Sequence, residues 1–316
     1  MSKKSLQSQV FYRLSSRKAY GHSKHEDKLK LHEELGGDYR PWMTPWKIYS
    51  YGTFQSYLKA STRFVKWCMK QGISETFWLN DIRHLVEPYL QSRLGAGLSI
   101  WTLKMERSAL GMLYKEHINF ALPERSPDNI HRSRKSAKMD NHFSLKRNHV
   151  LVTLARSTGS RRKDLGKLKP ENFEERNGRL YVRFHGSKGG RNRISVVFPS
   201  FEKEVREILA QAKAEGREHE RFFEHVHSKA DIHGFRRIYA QELYKAVSTD
   251  PDLRNELLRL YPARVEYGKK GKKIQSEYYH TRCRGVNRTF RRDDVYIVTQ
   301  SLGHTRLEVA ITHYLI

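Results

Sequence analysis

Four short segments of the 316-residue chain hold side chains suited to work on a phosphodiester: STGSRRKDL at 157–165, HGSKGGRNR at 185–193, IHGFRR at 232–237 and LGHTRLEVAITHYL at 302–315. Singly, each has an ordinary explanation. Arg161 could be a surface arginine at a helix start, Lys188 a hairpin-turn lysine, His233 a capped core histidine and Tyr314 an amphipathic core tyrosine. Together they supply what phosphoryl transfer requires: an in-line nucleophile, cations on the non-bridging oxygens and an acid for the leaving oxygen. Without Mg²⁺ the cations must be fixed side chains, and the planar fork of Arg161 and Arg236 holds two phosphate oxygens at once. His233 precedes Arg236 by three positions, so on a helix both address one phosphate. Lys188, in a hairpin turn, can protonate a leaving 5′-oxygen. A free tyrosine ionises near pH ~10, so Tyr314 needs a base or a cationic pocket to act as nucleophile, and two arginines furnish one.

Taken in order, Arg161, Lys188, His233-x-x-Arg236, Leu302-Gly303-His304 and Tyr314 resemble the tyrosine recombinases, the family of phage and mobile-element integrases and chromosome-dimer resolving enzymes. The resemblance covers about residues 48–316. It implies that Arg161 and Arg236 clamp the scissile phosphate, Lys188 is the general acid, His233 assists proton transfer, His304 hydrogen-bonds a phosphate oxygen and Tyr314 attacks. Gly159 and Asp164 match the motif's glycine and acidic residue and select Arg161 over Arg162, which is expected to face DNA or solvent. The implied activity is site-specific recombination through a 3′-phosphotyrosyl ester, without cofactor, metal or ATP. It would integrate or excise a mobile element, on double-stranded DNA and as a tetramer. A type IB topoisomerase would use similar chemistry as a monomer, and strand exchange separates the two. A DNA-binding protein of this fold without catalysis is a third reading, and detergent-resistant protein–DNA complexes exclude it. No Asp/Glu cluster with ligand spacing supports a metal-dependent nuclease.

Three departures from the family accompany the match. Residues 238–301 are longer than usual. Tyr314 lies ten positions after His304, one more than usual, so the helix between them must hold an irregularity. Only Leu315 and Ile316 follow the tyrosine, where the family usually continues into a segment that docks on a neighbouring subunit, so either the chain is shortened or assembly relies on other contacts.

The elements that position these residues read as mainly α with a small β-hairpin or sheet: a helical core-binding domain followed by a mixed α+β catalytic domain. Residues 1–47 are polar and read as a basic arm or peripheral helix. From Thr53, apolar residues Phe54, Tyr57, Leu58, Val65 and Cys68 recur at helical spacing until Gly72. A second helix starts near Glu87 and ends at Gly95 and Gly97, and a third runs from Ser99 through Leu113, giving a helical domain over 48–118. Residues 119–147 lose periodicity and carry Pro123, Pro127 and the basic run Arg132, Arg134, Lys135 and Lys138, as a linker crossing DNA would. The catalytic domain, 148–316, opens with a helix over Val150–Ala155 broken at Gly159. Two alternating runs around Gly186–Gly190 then predict a hairpin with Lys188 in its turn. A basic insert occupies about 245–293, and its 264–292 stretch holds ten Lys or Arg against two acids. A disordered loop and an added DNA-contacting element are equally open readings of it.

Composition points the same way. Lys and Arg number 60 against 34 Asp and Glu, a net +26 that attracts polyanions. No apolar run approaches the ~20 residues of a membrane span, and the opening Met1-Ser2-Lys3-Lys4 leads into nothing like a signal peptide. Cys68 and Cys283 form no CxxC pair, which fits a reducing cytoplasm, with the protein on the bacterial nucleoid when bound to DNA.

Overall fold

The computed structural model describes residues 4–40, 43–124, 140–187, 190–266, 273–283 and 285–316, without the side chain of Cys283. Lys188 and the basic run Arg132, Arg134, Lys135 and Lys138 lie outside the described residues. The chain divides into two compact units, Met1–Asn129 and Ile130–Ile316.

The first unit is helical: α1 (Leu6–Ser15), α2 (Lys24–Leu35), α3 (Tyr51–Lys70), α4 (Val86–Gly95) and α5 (Ile100–Tyr114). Serine caps start four of them. Ser5, Ser23, Ser50 and Ser99 each accept from the backbone N–H three residues on, which satisfies a donor the helix leaves unpaired. Phe64, Val65, Cys68, Tyr89, Leu90 and Leu110 meet in one core with almost no exposure. Leu6, Val10 and Leu14 are fully buried in that same core. Of the two readings of residues 1–47, arm or peripheral helix, their start forms a helix packed into the core, because these residues, four apart, lie along one stripe of α1. Inside the unit Glu106 is fully buried and meets Arg63, Arg93 at 3.0 Å and the Tyr89 hydroxyl at 3.3 Å.

The second unit begins with α6 (His149–Thr158), which ends where Gly159 takes φ +60°, and a short α7 (Arg162–Leu165). Three antiparallel strands follow, β1 (Phe173–Arg176), β2 (Arg179–Phe184) and β3 (Arg193–Val196), in the order β1-β2-β3. The β2–β3 pair is the expected hairpin, with Phe184 opposite Arg193 and Tyr181 opposite Val196. Leu180, Val182 and Phe184 enter one core while Tyr181 and Val196 enter another, so the sheet lies between two apolar layers. Next come α8 (Glu202–Ala214), α9 (Ile232–Thr249, capped by Asp231) and α10 (Pro251–Leu260, capped by Asp250). A hairpin of β4 (Tyr278–Cys283) and β5 (Val286–Arg291) leads into α11 (Arg292–Ser301) and the single turn α12 (Leu307–Ala310). The described part of the basic insert takes in the end of α9, α10, the β4–β5 hairpin and the irregular segments 261–266 and 273–277 between them, with residues 267–272 and 284 outside the description. Ile311–Leu315 closes the described chain as a π-turn in which the Ile316 N–H donates to the Ile311 carbonyl at 3.1 Å. A π-turn takes one residue more than an α-turn, and it lies in the segment where the extra position before Tyr314 requires an irregularity.

Candidate active site

The site assembles around one backbone carbonyl, that of Leu302, at the C-terminal end of α11. Arg161 Nη2 donates to it at 3.0 Å and Arg236 Nη2 donates to it as well. Gly303 can follow at φ +65° because it has no Cβ; a Cβ there would lie 2.6 Å from Cδ of Arg193.

Arg236 comes from the second turn of α9 and has no exposed surface. Its Nε donates to the Tyr314 hydroxyl at 3.1 Å, Nη1 to the Gly159 carbonyl, and Nη2 to Leu302 and to His304 Nε2 at 3.3 Å. Because a guanidinium only donates, His304 Nε2 must accept, which puts the imidazole proton on Nδ1. Burial, then Arg236 and Arg161, push the His304 pKa down to about 3, so the ring is neutral near pH 7. The rings of His304 and Tyr314 are 5.6 Å apart, and Tyr314 is 8% exposed. Gln241 holds the tyrosine's carbonyl at 3.1 Å.

Arg161 stands at the start of α7, where its guanidinium also reaches Ser187 Oγ at 3.0 Å. Asp164 organises this corner: it accepts from the Arg161 backbone N–H at 3.3 Å, from Ser187 Oγ at 2.9 Å and from Arg193 Nη2 at 3.1 Å. Burial raises its pKa, but the charge of Arg193 and the Ser187 hydrogen bond outweigh that and hold the carboxyl below its ordinary range. A cavity of about 390 Å³ opens in front of Arg161, bordered by Arg191, Asn192, Arg193, His304 and Thr305.

His233 occupies the first turn of α9, exposed, one helical turn before Arg236. Partial desolvation, followed by Arg236, lowers its pKa below 6.5, which leaves it a neutral imidazole able to accept a proton. The structure thus brings Arg161, Arg236, His304 and Tyr314 into one hydrogen-bonded group and sets His233 at its edge, while Lys188 lies outside the described residues.

Arg162 differs from expectation. Its guanidinium donates to the carbonyls of Val226, His227, Ser228 and Ala230 instead of facing DNA or solvent. It ties down the loop that leads to Asp231 and α9, because a guanidinium carries several N–H donors in one plane and can serve four converging carbonyls at once, two of which, those of His227 and Ala230, also accept from the backbone N–H groups of Ala230 and Ile232. Arg193 was legible in sequence only as one more base in a Gly-rich stretch. Folded, it is buried, paired with Asp164, bonded to the Ser301 carbonyl and stacked 3.8 Å from the Phe184 ring centre. Burial, then repulsion from Arg236, lowers its pKa to about 9. The signal available for it was its place on the same strand face as Ser195, also buried, in an otherwise apolar strand.

No match is found among protein-family models or among curated proteins. Solved structures do match. The chain superimposes on XerH site-specific recombinase in a post-cleavage complex with palindromic difH substrate, with a TM-score of 0.51, 16% identity, and coverage of 97% of this chain and 90% of that one. The pre-cleavage complex of XerH with difH gives 0.50, 15% identity, and coverage of 97% and 91%. The chain has the tyrosine recombinase fold. At this identity the likeness is one of fold, and a recombinase fold of mainly α structure with two small antiparallel sheets is what the residues above are built on. Among the described residues no helix is long and apolar enough to cross a membrane.

Proposed function

We propose that the protein is a metal- and ATP-independent site-specific DNA recombinase that integrates or excises a mobile element on the bacterial nucleoid. The observation that carries this reading is the Tyr314 hydroxyl held 3.1 Å from a buried arginine whose other hydrogen bonds reach the same Leu302 carbonyl as Arg161. A nucleophile, two guanidinium forks and a neutral imidazole donor are then fixed on one backbone frame before DNA arrives, which is preorganised charge stabilisation.

In the proposed reaction Tyr314 attacks the phosphorus and forms a 3′-phosphotyrosyl ester while the bond to the 5′-oxygen breaks. His233 takes the phenol proton and Lys188 supplies one to the departing 5′-oxygen. Arg161, Arg236 and the His304 Nδ1–H stabilise the charge on the non-bridging oxygens. The 5′-hydroxyl of a partner strand then attacks the ester, so bond energy is conserved and no nucleotide is hydrolysed. The unit Met1–Asn129 takes the part of the core-binding domain, and four copies act together on two duplexes.

Two differently labelled duplexes carrying the site test this directly. Recombinant products joining both labels, formed in EDTA, are expected. Relaxation of supercoils with no joint product would instead indicate a topoisomerase, and reversible binding with no detergent-resistant complex would indicate a catalytically silent binder.

A further inference from the structure

The β4–β5 hairpin leaves the core soon after its root. At the root, Phe290 is buried edge-on against Tyr244 at 5.7 Å, and Arg292 packs 5.1 Å from the Tyr279 ring centre. Beyond Phe290 the described residues of β5 are all exposed, Val286 to 53%. A two-stranded ribbon with so little packing is not a stabilising element of the fold, which raises the question of what it meets.

Charge answers it. The acids near the hairpin sit at its root: Glu266 pairs with Arg264 and Arg292, Asp293 with Arg264 and Glu277 with Arg291, and Asp294 and Glu308 lie beside Arg291 and Tyr279 there. From Tyr278 to Arg291 the sequence contains four arginines and no Asp or Glu. Arg282 and Arg288, toward the tip, have no acidic partner among the described residues. Cross-strand partners share a face, so Arg282, opposite Asn287, and Arg288, opposite Thr281, lie on opposite faces of the ribbon.

We propose that this hairpin is a second duplex-binding element, in which Arg282 and Arg288 pair with backbone phosphates on the two walls of a groove. A major groove about 12 Å wide admits a two-stranded ribbon, and one cation per face suits phosphates on either side. A second copy of the chain is the poorer partner, because its net charge is also +26. The root is joined to the Leu302 corner by the ten residues of α11, about 15 Å of helix at 1.5 Å per residue. The contacts therefore fall on DNA away from the scissile phosphate and lengthen the footprint. The proposal rests on the recombinase reading for the identity of the DNA, but its measurement does not depend on cleavage.

The test compares the full chain with the double variants R282Q/R288Q and R282K/R288K. Affinity for a long duplex is measured against salt, and covalent attachment is measured on a short nicked duplex. Loss of two phosphate contacts is expected to make the log–log salt slope shallower by about 1.8, at roughly 0.9 per phosphate, in the glutamine variant only. Attachment to the short duplex is expected to persist in both variants. An unchanged slope in the glutamine variant overturns the proposal, and so does an equal flattening in the lysine variant, which would mean a distorted fold. A lost self-association with an intact slope also overturns it in favour of a protein partner. Absence of covalent attachment in the unaltered chain would remove the recombinase reading while leaving the slope result to stand by itself.

Discussion

Four N–H groups of Arg236 already meet protein acceptors, one of them the nucleophile itself. Substrate phosphate must therefore compete with Tyr314 for the guanidinium or use the N–H that remains, and only a fork with several donors can do either. Arg236→Lys keeps the charge and loses the fork, so cleavage is expected to fall by about 10²–10³, measured as single-turnover covalent product, with duplex affinity nearly unchanged. Arg193 is a positioning residue, since it acts through Asp164 and the Ser301 carbonyl. Arg193→Met should lower the single-turnover rate without weakening DNA binding, and Arg193→Lys should recover part of it; weakened binding instead would mean general loss of structure. His304 makes a pH prediction. Its folded pKa of about 3 lies below its ordinary 6.5, so as pH falls the unfolded chain takes up the proton first. The stability it contributes is complete above 6.5 and is lost as pH drops from 6.5 toward 3. Urea midpoints of the His304→Gln variant should be less steep in pH across that window, and an identical slope would contradict the assignment.

Among the elements, Glu106 is where the first unit is most sensitive. Glu106→Ala removes the carboxylate shared by the partly exposed Arg63 and Arg93 and leaves the buried Tyr89 hydroxyl without its acceptor, and is expected to cost ~1–3 kcal/mol, read as a lower denaturant midpoint for this unit. Gly303→Ala adds a Cβ where Arg193 already lies, at a positive φ, and should cost about 1–3 kcal/mol along with most of the activity. The elements also show what a sequence can and cannot convey. Helices α3 to α6 were legible because apolar periodicity and Ser or Gly punctuation act locally. The role of α1 was not, since Leu6, Val10 and Leu14 are sparse in a polar stretch and acquire meaning only against the α3 and α5 side chains. Likewise, Tyr314's offset from His304 announced an irregularity, but only backbone hydrogen bonding assigns it to a π-turn. That Arg161, Arg236, His304 and Tyr314 would lie together was legible from their order along the chain and its resemblance to one family's motifs, and the hydrogen bonds around the Leu302 carbonyl bring the four together. Arg193 and the true partners of Arg162 depend on which carbonyls and carboxylates converge from distant parts of the chain, and no local pattern carries that.

For the molecule as a whole, a net charge of +26 and a preassembled site make separate demands, one on binding and one on chemistry. Binding should weaken steeply between ~50 and ~200 mM salt, whereas covalent attachment of already bound DNA should be nearly indifferent to salt. The two are separated most directly by incubating the full chain in EDTA with a library of nicked duplexes, denaturing it, and mapping any attached nucleotide by peptide mass spectrometry. DNA joined through a 3′-phosphate to Tyr314, absent from the Tyr314→Phe variant although that variant still binds duplex, is the expected result. An adduct that persists in Tyr314→Phe, or no adduct from any member of the library, would contradict the central claim.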